Sequence, residues 1–317
     1  MSATIKRPAV GWIGVGKMGL PMASRVLAAG YAVKAFDPVG ANLDQLATRG
    51  AARAASASDA ASGADVIVSS LPDDAVLRRA VLGEEGILSG AKRGAVFVET
   101  STVSPSVSEE VAKVTAERGV DYVRVAVSGN PVLAEAGTLT VLASGPRAAW
   151  ERVRPLLDCI GDKHFHVGEA EQARTLKLVI NLMIAVSAGM MAEALALGRK
   201  GGIEWLTMLE VIESSAVASP MVKYKTPVLR ERDFGSTFSC FQMMKDLDLI
   251  LDAGRATGVP LALTALLRQM YEATAGQGWG GDDYIATVKL VERLAGLGET
   301  MQGNQRHGLD VQTEAGK

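Results

Sequence analysis

The first half of the chain alternates short apolar runs with stretches whose apolar residues recur at helical spacing. Short, nearly continuous apolar runs are typical of strands that are buried on both faces of a parallel sheet. Strands that alternate with helices predict βαβ units. The predicted strands are 9–13, 32–36, 66–70, 96–99, 120–127 and 139–143, and the predicted helices are 18–29, 42–49, 74–81 and 106–118.

The second half of the chain has long helical patterns and predicts no strand from residue 169 onward. The predicted helices are 169–199, 204–213, 240–257, 260–275 and 282–296. We therefore expect an α/β fold with an N-terminal Rossmann-type parallel-sheet domain and an all-helical C-terminal domain. The predicted boundaries are 1–167 for the sheet domain, 168–297 for the helical domain, and 298–317 for a polar, disordered tail.

Composition is that of a globular protein with a large core, since 48% of residues are hydrophobic and 21% are charged. The net charge of −2 supplies no basic field that would attract nucleic acid or an anionic membrane. The two cysteines, Cys159 and Cys240, are too few for a disulfide framework and suit a reducing compartment, so we expect a cytoplasmic protein. The most apolar stretch, 177–193, is shorter than the roughly 20 residues of a membrane span and is expected to be a buried helix.

A glycine motif follows the first predicted strand and begins the first predicted helix. Its residues are Gly14, Val15, Gly16, Lys17, Met18 and Gly19. In this context the first glycine permits a tight turn, the second lets the backbone approach a pyrophosphate, and the third lets helix and strand pack closely. The N–H groups at the start of the helix then face the phosphates. The motif therefore predicts a dinucleotide site, with a glycine-rich packing turn as the alternative.

Asp37 ends the second predicted strand, 18 residues after Gly19. An acid at this place accepts hydrogen bonds from the adenosine ribose and repels a 2′-phosphate. The residues that follow, Pro38 to Gly40, include no arginine that would bind such a phosphate. The sequence therefore favours NAD over NADP. The alternative is that Asp37 caps the turn that it begins.

Lys177 and Asn181 lie four residues apart in the most apolar predicted helix, so they share one face. A lysine in such a helix is unfavourable unless it has a partner or a function. Burial lowers the pKa of a lysine and lets it exchange a proton near neutral pH. The alternative is a lysine whose stem lies along the apolar surface while its amine reaches water.

Further motifs follow the glycine motif in a consistent order. They are Leu20-Pro21-Met22-Ala23, Leu71-Pro72, the E-T-S-T-V-S-P of residues 99–105, Ser128-Gly129, the G-T-L of residues 137–139, Lys177 with Asn181, and Lys245-Asp246-Leu247. In this order and spacing they resemble the β-hydroxyacid dehydrogenases, which include 3-hydroxyisobutyrate dehydrogenase. The resemblance extends to about residue 296.

The resemblance implies a role for each matched residue. Lys177 is then the catalytic acid/base, with Asn181 positioning Lys177 or the substrate hydroxyl. The implied substrate-binding residues are Thr102, Ser128, Gly129, Asn130 and Phe238. The implied cofactor-binding residues, beyond the glycine motif and Asp37, are Leu71, Pro72, Ser101, Thr102, Lys245 and Asp246.

Each of these residues also has a purely structural interpretation. Ser101 and Thr102 could cap the helix that begins near Pro105. The pair Ser128-Gly129 could be an ordinary turn. The pair Lys245-Asp246 could be a solvated ion pair, and Phe238 could be a core residue.

Two residues depart from the family pattern. Arg124 stands where an acid is usual, and Asn130 replaces a glycine at the rim of the expected substrate pocket. Either could change which substrate fits, or could be a local change of packing. The histidines His164 and His166 alternate as in a strand, which is more typical of a surface than of metal ligation, and we expect no metal site.

The sequence thus predicts an NAD-dependent oxidoreductase that interconverts a small 3-hydroxyacid and its semialdehyde by hydride transfer. Its partner is a small carboxylate-bearing substrate. The long apolar helix needs more cover than one small domain offers, so we expect a homodimer or homotetramer. The alternatives are an imine reductase or reductive aminase on the same fold, and a non-catalytic NAD-binding protein.

Overall fold

The computed structural model describes residues 7–298. Its strands are β1 Val10–Ile13, β2 Val33–Phe36, β3 Ala52–Arg53, β4 Val66–Ser69, β5 Val96–Glu99, β6 Asp121–Ser128, β7 Leu139–Ser144 and β8 Gly161–His166. Its helices in the first half are α1 Gly19–Ala28, α2 Gly40–Ala47, α3 Ala57–Ala61, α4 Asp74–Leu82, α5 Ile87–Gly90, α6 Pro105–Glu117, α7 Pro131–Ala136 and α8 Arg147–Leu157. The second half contains α9 Gln172–Lys200, α10 Trp205–Ser214, α11 Pro220–Glu231, α12 Cys240–Thr257, α13 Ala262–Thr274 and α14 Thr287–Leu294.

The strands form one sheet in the order β3-β2-β1-β4-β5-β6-β7-β8. The central strands β1, β4 and β5 are buried along their whole length, because helices cover both faces of the sheet. Two apolar clusters, one on each face, form the core of this domain. The predicted fold class, a Rossmann-type sheet domain followed by a helical domain, is confirmed.

One pair of strands departs from the predicted parallel arrangement. Strand β7 runs antiparallel to β6, with Val127 opposite Val141. The chain between Ser128 and Leu139 contains only the short helix α7, which ends at Gly137 in the left-handed conformation. A parallel connection needs a crossover of about a dozen residues or more, so this connection reverses the strand direction instead.

The two strands at the edges of the sheet are absent from the predicted strands, although the alternation of His164 and His166 indicates a strand at one of them. At one edge lies β3, which has only two residues. At the other lies β8, which follows β7 after the unpredicted helix α8, so the prediction that residues 139–143 form the last strand is wrong. The alternation of His164 and His166 does correspond to this strand. Both rings bond backbone carbonyls, those of Gly161 and Gly145.

The helical domain is built around α9, which has 29 residues. Its small and apolar residues, Ala185, Ala188, Ala192 and Leu195, are buried in a third apolar cluster together with residues of α10, α12 and α13. Within residues 7–298, α9 is the one helix that is long and apolar enough to cross a membrane by length and composition. The predicted helix at 177–193 is therefore part of a longer core helix.

Among the other predicted helices of this half, α12 has the predicted bounds, 240–257, while the bounds of the rest differ. Helix α11 was not predicted, and the last predicted helix is divided into a 3-10 turn, Tyr284–Ala286, and α14. The predicted tail lies outside the described residues after residue 298. The domain division between residues 167 and 168 stays a prediction.

Candidate active site

The glycine motif forms a tight loop between β1 and α1. Gly14 has a φ of +90°, and a Cβ there would lie 2.2 Å from the carbonyl oxygen of Ser70. A Cβ at Gly19 would lie 2.1 Å from the carbonyl oxygen of Gly14, whereas one at Gly16 would meet no atom within 4 Å. Two glycines are therefore required by packing, and the third leaves open space over the loop.

The start of α1 is suited to a phosphate. Met18, the residue before the helix, provides no side-chain cap. The N–H of Leu20 donates to the carbonyl oxygen of Gly16 at 2.9 Å, and Pro21 has no N–H. The backbone dipoles at the start of the helix favour an anion there. Val15 is buried beneath the loop, and Lys17 donates from Nζ to the carbonyl oxygen of Ser236 at 3.2 Å. The loop thus fits a dinucleotide phosphate.

Asp37 follows β2 and contacts the same loop. Its Oδ2 accepts a hydrogen bond from the N–H of Val15 at 2.7 Å, and its Oδ1 accepts one from the N–H of Val39 at 2.8 Å. The second bond is the turn cap that was the alternative interpretation of Asp37. A carboxylate oxygen accepts more than one hydrogen bond, so the same group retains acceptor capacity for ribose hydroxyls.

The loops after β4 and β5 meet beside the glycine loop. The Oγ of Ser101 accepts a hydrogen bond from the N–H of Leu71 at 2.7 Å. From the helical domain, Lys245 donates to the carbonyl oxygen of Thr102 at 2.8 Å and to that of Pro72 at 3.4 Å. The structure therefore brings together residues predicted for the cofactor. Lys245 joins the two domains rather than being a solvated charge.

The helix that begins at Pro105 is capped by Ser104, whose Oγ accepts a hydrogen bond from the N–H of Val107. The capping role considered for Ser101 and Thr102 is therefore wrong. Both residues precede the cap, on the loop whose Thr102 carbonyl oxygen accepts a hydrogen bond from Lys245 of the helical domain.

Lys177 lies on α9 opposite the end of β6. Its Nζ donates to the carbonyl oxygen of Val127 at 2.9 Å. Burial lowers the pKa of the Lys177 amine, and the charge of Lys245 lowers it further, while the Asp246 carboxylate opposes both effects. The amine thus points into the protein rather than reaching water along the helix surface. This geometry argues against the alternative interpretation of Lys177.

Asn181, one turn further along α9, is buried and bonds Asp246 rather than Lys177. Its Nδ2 donates to Asp246 Oδ2 at 2.5 Å, and the other carboxylate oxygen, Oδ1, lies 3.0 Å from Lys245 Nζ. Asp246 is 1% exposed. The buried Asp246 carboxylate thus connects Lys245 of α12 with Asn181 of α9.

Ser128 ends β6 directly after the carbonyl that binds Lys177. Gly129 follows with a φ of +143°, and a Cβ there would lie 2.6 Å from Leu139 Cδ2, so this position requires glycine. Asn130 begins α7, and its Oδ1 accepts a hydrogen bond from the N–H of Leu133 at 3.0 Å. Ser128 and Gly129 therefore lie beside Lys177, while the Asn130 side chain is engaged as a helix cap.

Phe238 lies on the segment before α12. Its ring packs edge-on against Tyr284, with 6.0 Å between the ring centroids, and belongs to the core of the helical domain. This is the structural interpretation considered for it. Its contact with substrate stays a prediction.

Comparisons with known proteins show which family this sequence belongs to. The protein-family model described as the NAD-binding domain of 6-phosphogluconate dehydrogenase matches residues 9–168. The model described as NAD-binding of NADP-dependent 3-hydroxyisobutyrate dehydrogenase matches residues 172–291. A 2-(hydroxymethyl)glutarate dehydrogenase from Eubacterium barkeri is 38% identical over 91% of this chain and 96% of its own length.

The chain belongs to the β-hydroxyacid dehydrogenase family. Another relative, an NAD-dependent L-serine dehydrogenase from Pseudomonas aeruginosa, is 32% identical over 90% of this chain and 99% of its own length. The solved 3-hydroxyisobutyrate dehydrogenase from Salmonella typhimurium has a TM-score of 0.82 and 28% identity, covering 90% of this chain and all of its own. This β-hydroxyacid dehydrogenase is thus an oxidoreductase that acts on hydroxyl groups with a nicotinamide cofactor.

Sequence reasoning missed one residue beside the site of this β-hydroxyacid dehydrogenase. Arg174 lies three residues before Lys177 on α9 and is 2% exposed. Its guanidinium pairs with the buried carboxylate of Glu99 and donates to the carbonyl oxygen of Ser101 at 2.7 Å. An arginine on the face of an apolar helix that carries a candidate catalytic lysine was the available signal, since residues three apart share a face.

Arg124, the departure considered as a substrate contact, is also internally paired. Its Nε lies 2.7 Å from Glu171 Oε1, and both side chains are buried. Its guanidinium also stacks on the Tyr122 ring, 4.6 Å from the centroid. The packing interpretation of Arg124 is therefore correct, and its charge is not available to a substrate carboxylate.

Proposed function

We propose that this β-hydroxyacid dehydrogenase interconverts a small 3-hydroxyacid and its semialdehyde, of the 3-hydroxyisobutyrate type, with Lys177 as acid/base. The observation that supports this most strongly is the position of Lys177. Its amine is held at the carbonyl of Val127, one residue before Ser128, and burial lowers its pKa. A lysine in this state exchanges a proton at neutral pH more readily than an exposed one.

In the oxidising direction, neutral Lys177 accepts the proton of the substrate hydroxyl. In the reducing direction, the ammonium form returns that proton to the carbonyl oxygen of the semialdehyde. Asp246 holds Asn181 in place by accepting a hydrogen bond from Asn181 Nδ2. The charge of Asp246 also raises the pKa of Lys177 and so opposes part of the lowering caused by burial. The substrate carboxylate is held by Ser128, the N–H of Gly129 and Thr102, which lie at the ends of neighbouring strands. The bound nicotinamide supplies the hydride acceptor or donor.

NAD is the cofactor that the chain favours over NADP. The uncapped start of α1 and the space over Gly16 suit the pyrophosphate. The carboxylate of Asp37, fixed by two backbone N–H groups, would repel a 2′-phosphate. Replacing Asp37 with serine should raise the ratio of kcat/KM for NADP to that for NAD by at least about ten-fold, or about 1.4 kcal/mol.

The printed names of two relatives suggest the first substrates to test. One acts on 2-(hydroxymethyl)glutarate and another on L-serine, and both compounds carry a hydroxyl on the carbon β to a carboxylate. A second substrate carboxylate would need a further cationic side chain to bind it. Lys245 and Lys17, which lie near the site, each donate instead to a backbone carbonyl of the opposite domain. A small monocarboxylate is therefore the substrate that we favour.

A homo-oligomer, dimeric or tetrameric, fits the surface of α9. Val179, Met183, Met190 and Leu197 are about half or more exposed. Because a helix advances about 100° per residue, these four residues form one narrow apolar stripe. A second copy of the chain would cover it.

The free thiols of Cys159 and Cys240 support a reducing compartment such as the cytoplasm.

The proposed function is tested by NADH formation at 340 nm with a panel of 3-hydroxyacids. Lys177→Ala is compared with Lys200→Ala, which removes an exposed lysine from the end of the same helix. We expect Lys177→Ala to lose at least about 100-fold in kcat, the lower range for a general acid–base group. Lys200→Ala should keep the activity of the parent enzyme.

Two results would contradict the proposal. If Lys177→Ala is as active as the parent enzyme, Lys177 is not the acid/base. If the parent enzyme oxidises no 3-hydroxyacid but reduces a cyclic imine, the imine reductase reading replaces it.

A further inference from the structure

The helix that carries Lys177 is attached to the sheet by two buried arginine–glutamate pairs. Arg174 binds Glu99, the carbonyl oxygen of Ser101 at 2.7 Å, the Tyr122 hydroxyl at 3.2 Å and the Ser108 hydroxyl at 3.5 Å. This contact joins α9 to β5, β6 and α6. It fixes one point of the helix, one turn before Lys177.

The second pair fixes another point of the same helix. Glu171 is the residue directly before α9, and Arg124 is in the middle of β6. The Nε and Nη2 atoms of Arg124 lie 2.7 and 2.5 Å from the same oxygen, Glu171 Oε1. Tyr122 lies between the two pairs, since its hydroxyl accepts from Arg174 and its ring stacks on Arg124. The two pairs are thus packed as one unit.

The spacing of these contacts matches the position of Lys177. From Arg124 to Val127 there are three strand residues, or about 10 Å. From Glu171 to Lys177 there are six residues, or about 9 Å of helix. The start of α9 therefore runs alongside the end of β6. The Arg124–Glu171 pair lies at one end of this contact, and the hydrogen bond of Lys177 to Val127 lies at the other.

Stability alone does not account for the Arg124–Glu171 pair. Glu171 Oε2 is buried and has no hydrogen-bond partner among the described residues. A buried ion pair with an unsatisfied oxygen adds little net stability compared with apolar residues of similar volume, because both charges lose their hydration. Setting the register between two packed elements is the best-attested benefit of such a pair.

We propose that Arg124 and Glu171 are positioning residues that set the register of α9 on β6 and thereby hold the Lys177 amine at the carbonyl of Val127. Arg174 binds α9 to the end of β5, and Ser144 of β7 accepts a hydrogen bond from the N–H of Ala173 at 3.2 Å. The Arg124–Glu171 pair adds a direct tie from the start of α9 to β6, the strand that carries Val127. The proposal rests on the proposed function for its effect on catalysis, because there Lys177 is the acid/base. Its structural part concerns only where the Lys177 amine lies.

The test separates register from stability. Removal of one partner leaves a buried charge and lowers stability, whereas replacement of both by apolar residues restores most of it. The informative variant is therefore Arg124→Met/Glu171→Leu. Its matched control is Arg147→Met/Glu151→Leu, which removes an exposed ion pair from α8. Thermal unfolding identifies whether each double variant is folded.

The first measurement does not require activity. Acetylation of each lysine by acetic anhydride, followed by mass spectrometry at a series of pH values, reports the pKa and the exposure of Lys177. In Arg124→Met/Glu171→Leu we expect the Lys177 profile to move up in pH toward that of exposed Lys200, because the amine loses part of its burial. In the control variant the Lys177 profile should not move.

The second measurement is the pH profile of kcat for hydroxyacid oxidation. We expect kcat at pH 7 to fall about 10- to 100-fold, as for a small misplacement of a reacting group, and to recover partly at higher pH. A purely structural pair would change the melting temperature and leave the shape of this profile unchanged.

An acetylation profile of Lys177 identical to that of the parent enzyme, in a folded Arg124→Met/Glu171→Leu variant, would overturn the proposal. Failure of the proposed function has a different signature, namely full activity of Lys177→Ala. The acetylation result still decides the positioning role in that case.

Discussion

Gly16 and Gly19 are both part of the glycine motif, but the structure gives them opposite sensitivities to alanine. A Cβ at Gly19 would lie 2.1 Å from the carbonyl oxygen of Gly14, about 1.3 Å short of the 3.4 Å at which ordinary van der Waals contact begins. A Cβ at Gly16 would meet no protein atom within 4 Å, and the backbone there is not in the left-handed region. Gly19→Ala therefore perturbs the fold, whereas Gly16→Ala perturbs only what lies over the loop.

The expected magnitudes follow from this geometry. Overpacking at Gly19 should lower the free energy of unfolding by about 1–3 kcal/mol, and each kcal/mol corresponds to roughly 2–4 °C in Tm. Gly16→Ala should leave stability unchanged or raise it by up to about 1 kcal/mol, because alanine restricts the unfolded chain. The same variant should weaken NADH binding at least about ten-fold, or about 1.4 kcal/mol, because the added methyl group occupies the space of the pyrophosphate.

The assay combines thermal unfolding with an NADH titration followed by fluorescence. Gly276→Ala serves as the control, since a Cβ there also meets no atom within 4 Å and lies outside the glycine motif. If Gly16→Ala binds NADH as tightly as the control, the loop is not the pyrophosphate site. If Gly19→Ala is as stable as the parent enzyme, the argument from the close approach to Gly14 is wrong.

Two further predictions concern charged residues. Lys225→Met should lower the free energy of unfolding by about 3–5 kcal/mol, because it leaves the buried carboxylate of Asp283 without its partner at 2.7 Å. The double variant Lys225→Met/Asp283→Asn should recover most of that loss, as measured by urea unfolding. Asp246→Asn should move the rise of kcat for oxidation to lower pH, because Asp246 raises the pKa of Lys177 and the neutral amine is the proposed base. A shift to higher pH in the measured profile would refute this reasoning.

The strands that the sequence predicts best are those buried on both faces. Strands β1, β4 and β5 are nearly continuous apolar runs, because every position along them is covered by helices. Strand β3 has two exposed residues and leaves no such pattern. Helix α11 contains Pro227 in its interior, which in a sequence indicates the end of a helix rather than its middle. The direction of β7 depends on the length of one connection and not on the composition of the strand.

The candidate site divides in the same way. The glycine motif, Ser128-Gly129 and Lys177 are visible as local patterns because each needs particular residue types at fixed spacing. The Arg124–Glu171 pair joins residues 47 positions apart, and neither residue carries a local signal of its partner. The buried position of Asp246 likewise depends on how α12 packs against α9. Contacts of this kind require the tertiary structure.

The two edge strands limit how copies of this chain can aggregate or assemble. An edge strand with unpaired N–H and C=O groups can add a strand from another molecule, unless it is short or carries charges. Strand β3 offers two residues, and β8 carries the exposed charged residues Asp162 and Lys163. Edge-to-edge growth into a continuous intermolecular sheet is therefore disfavoured at both ends. Any contact between two copies of the chain would therefore use surfaces other than the sheet edges.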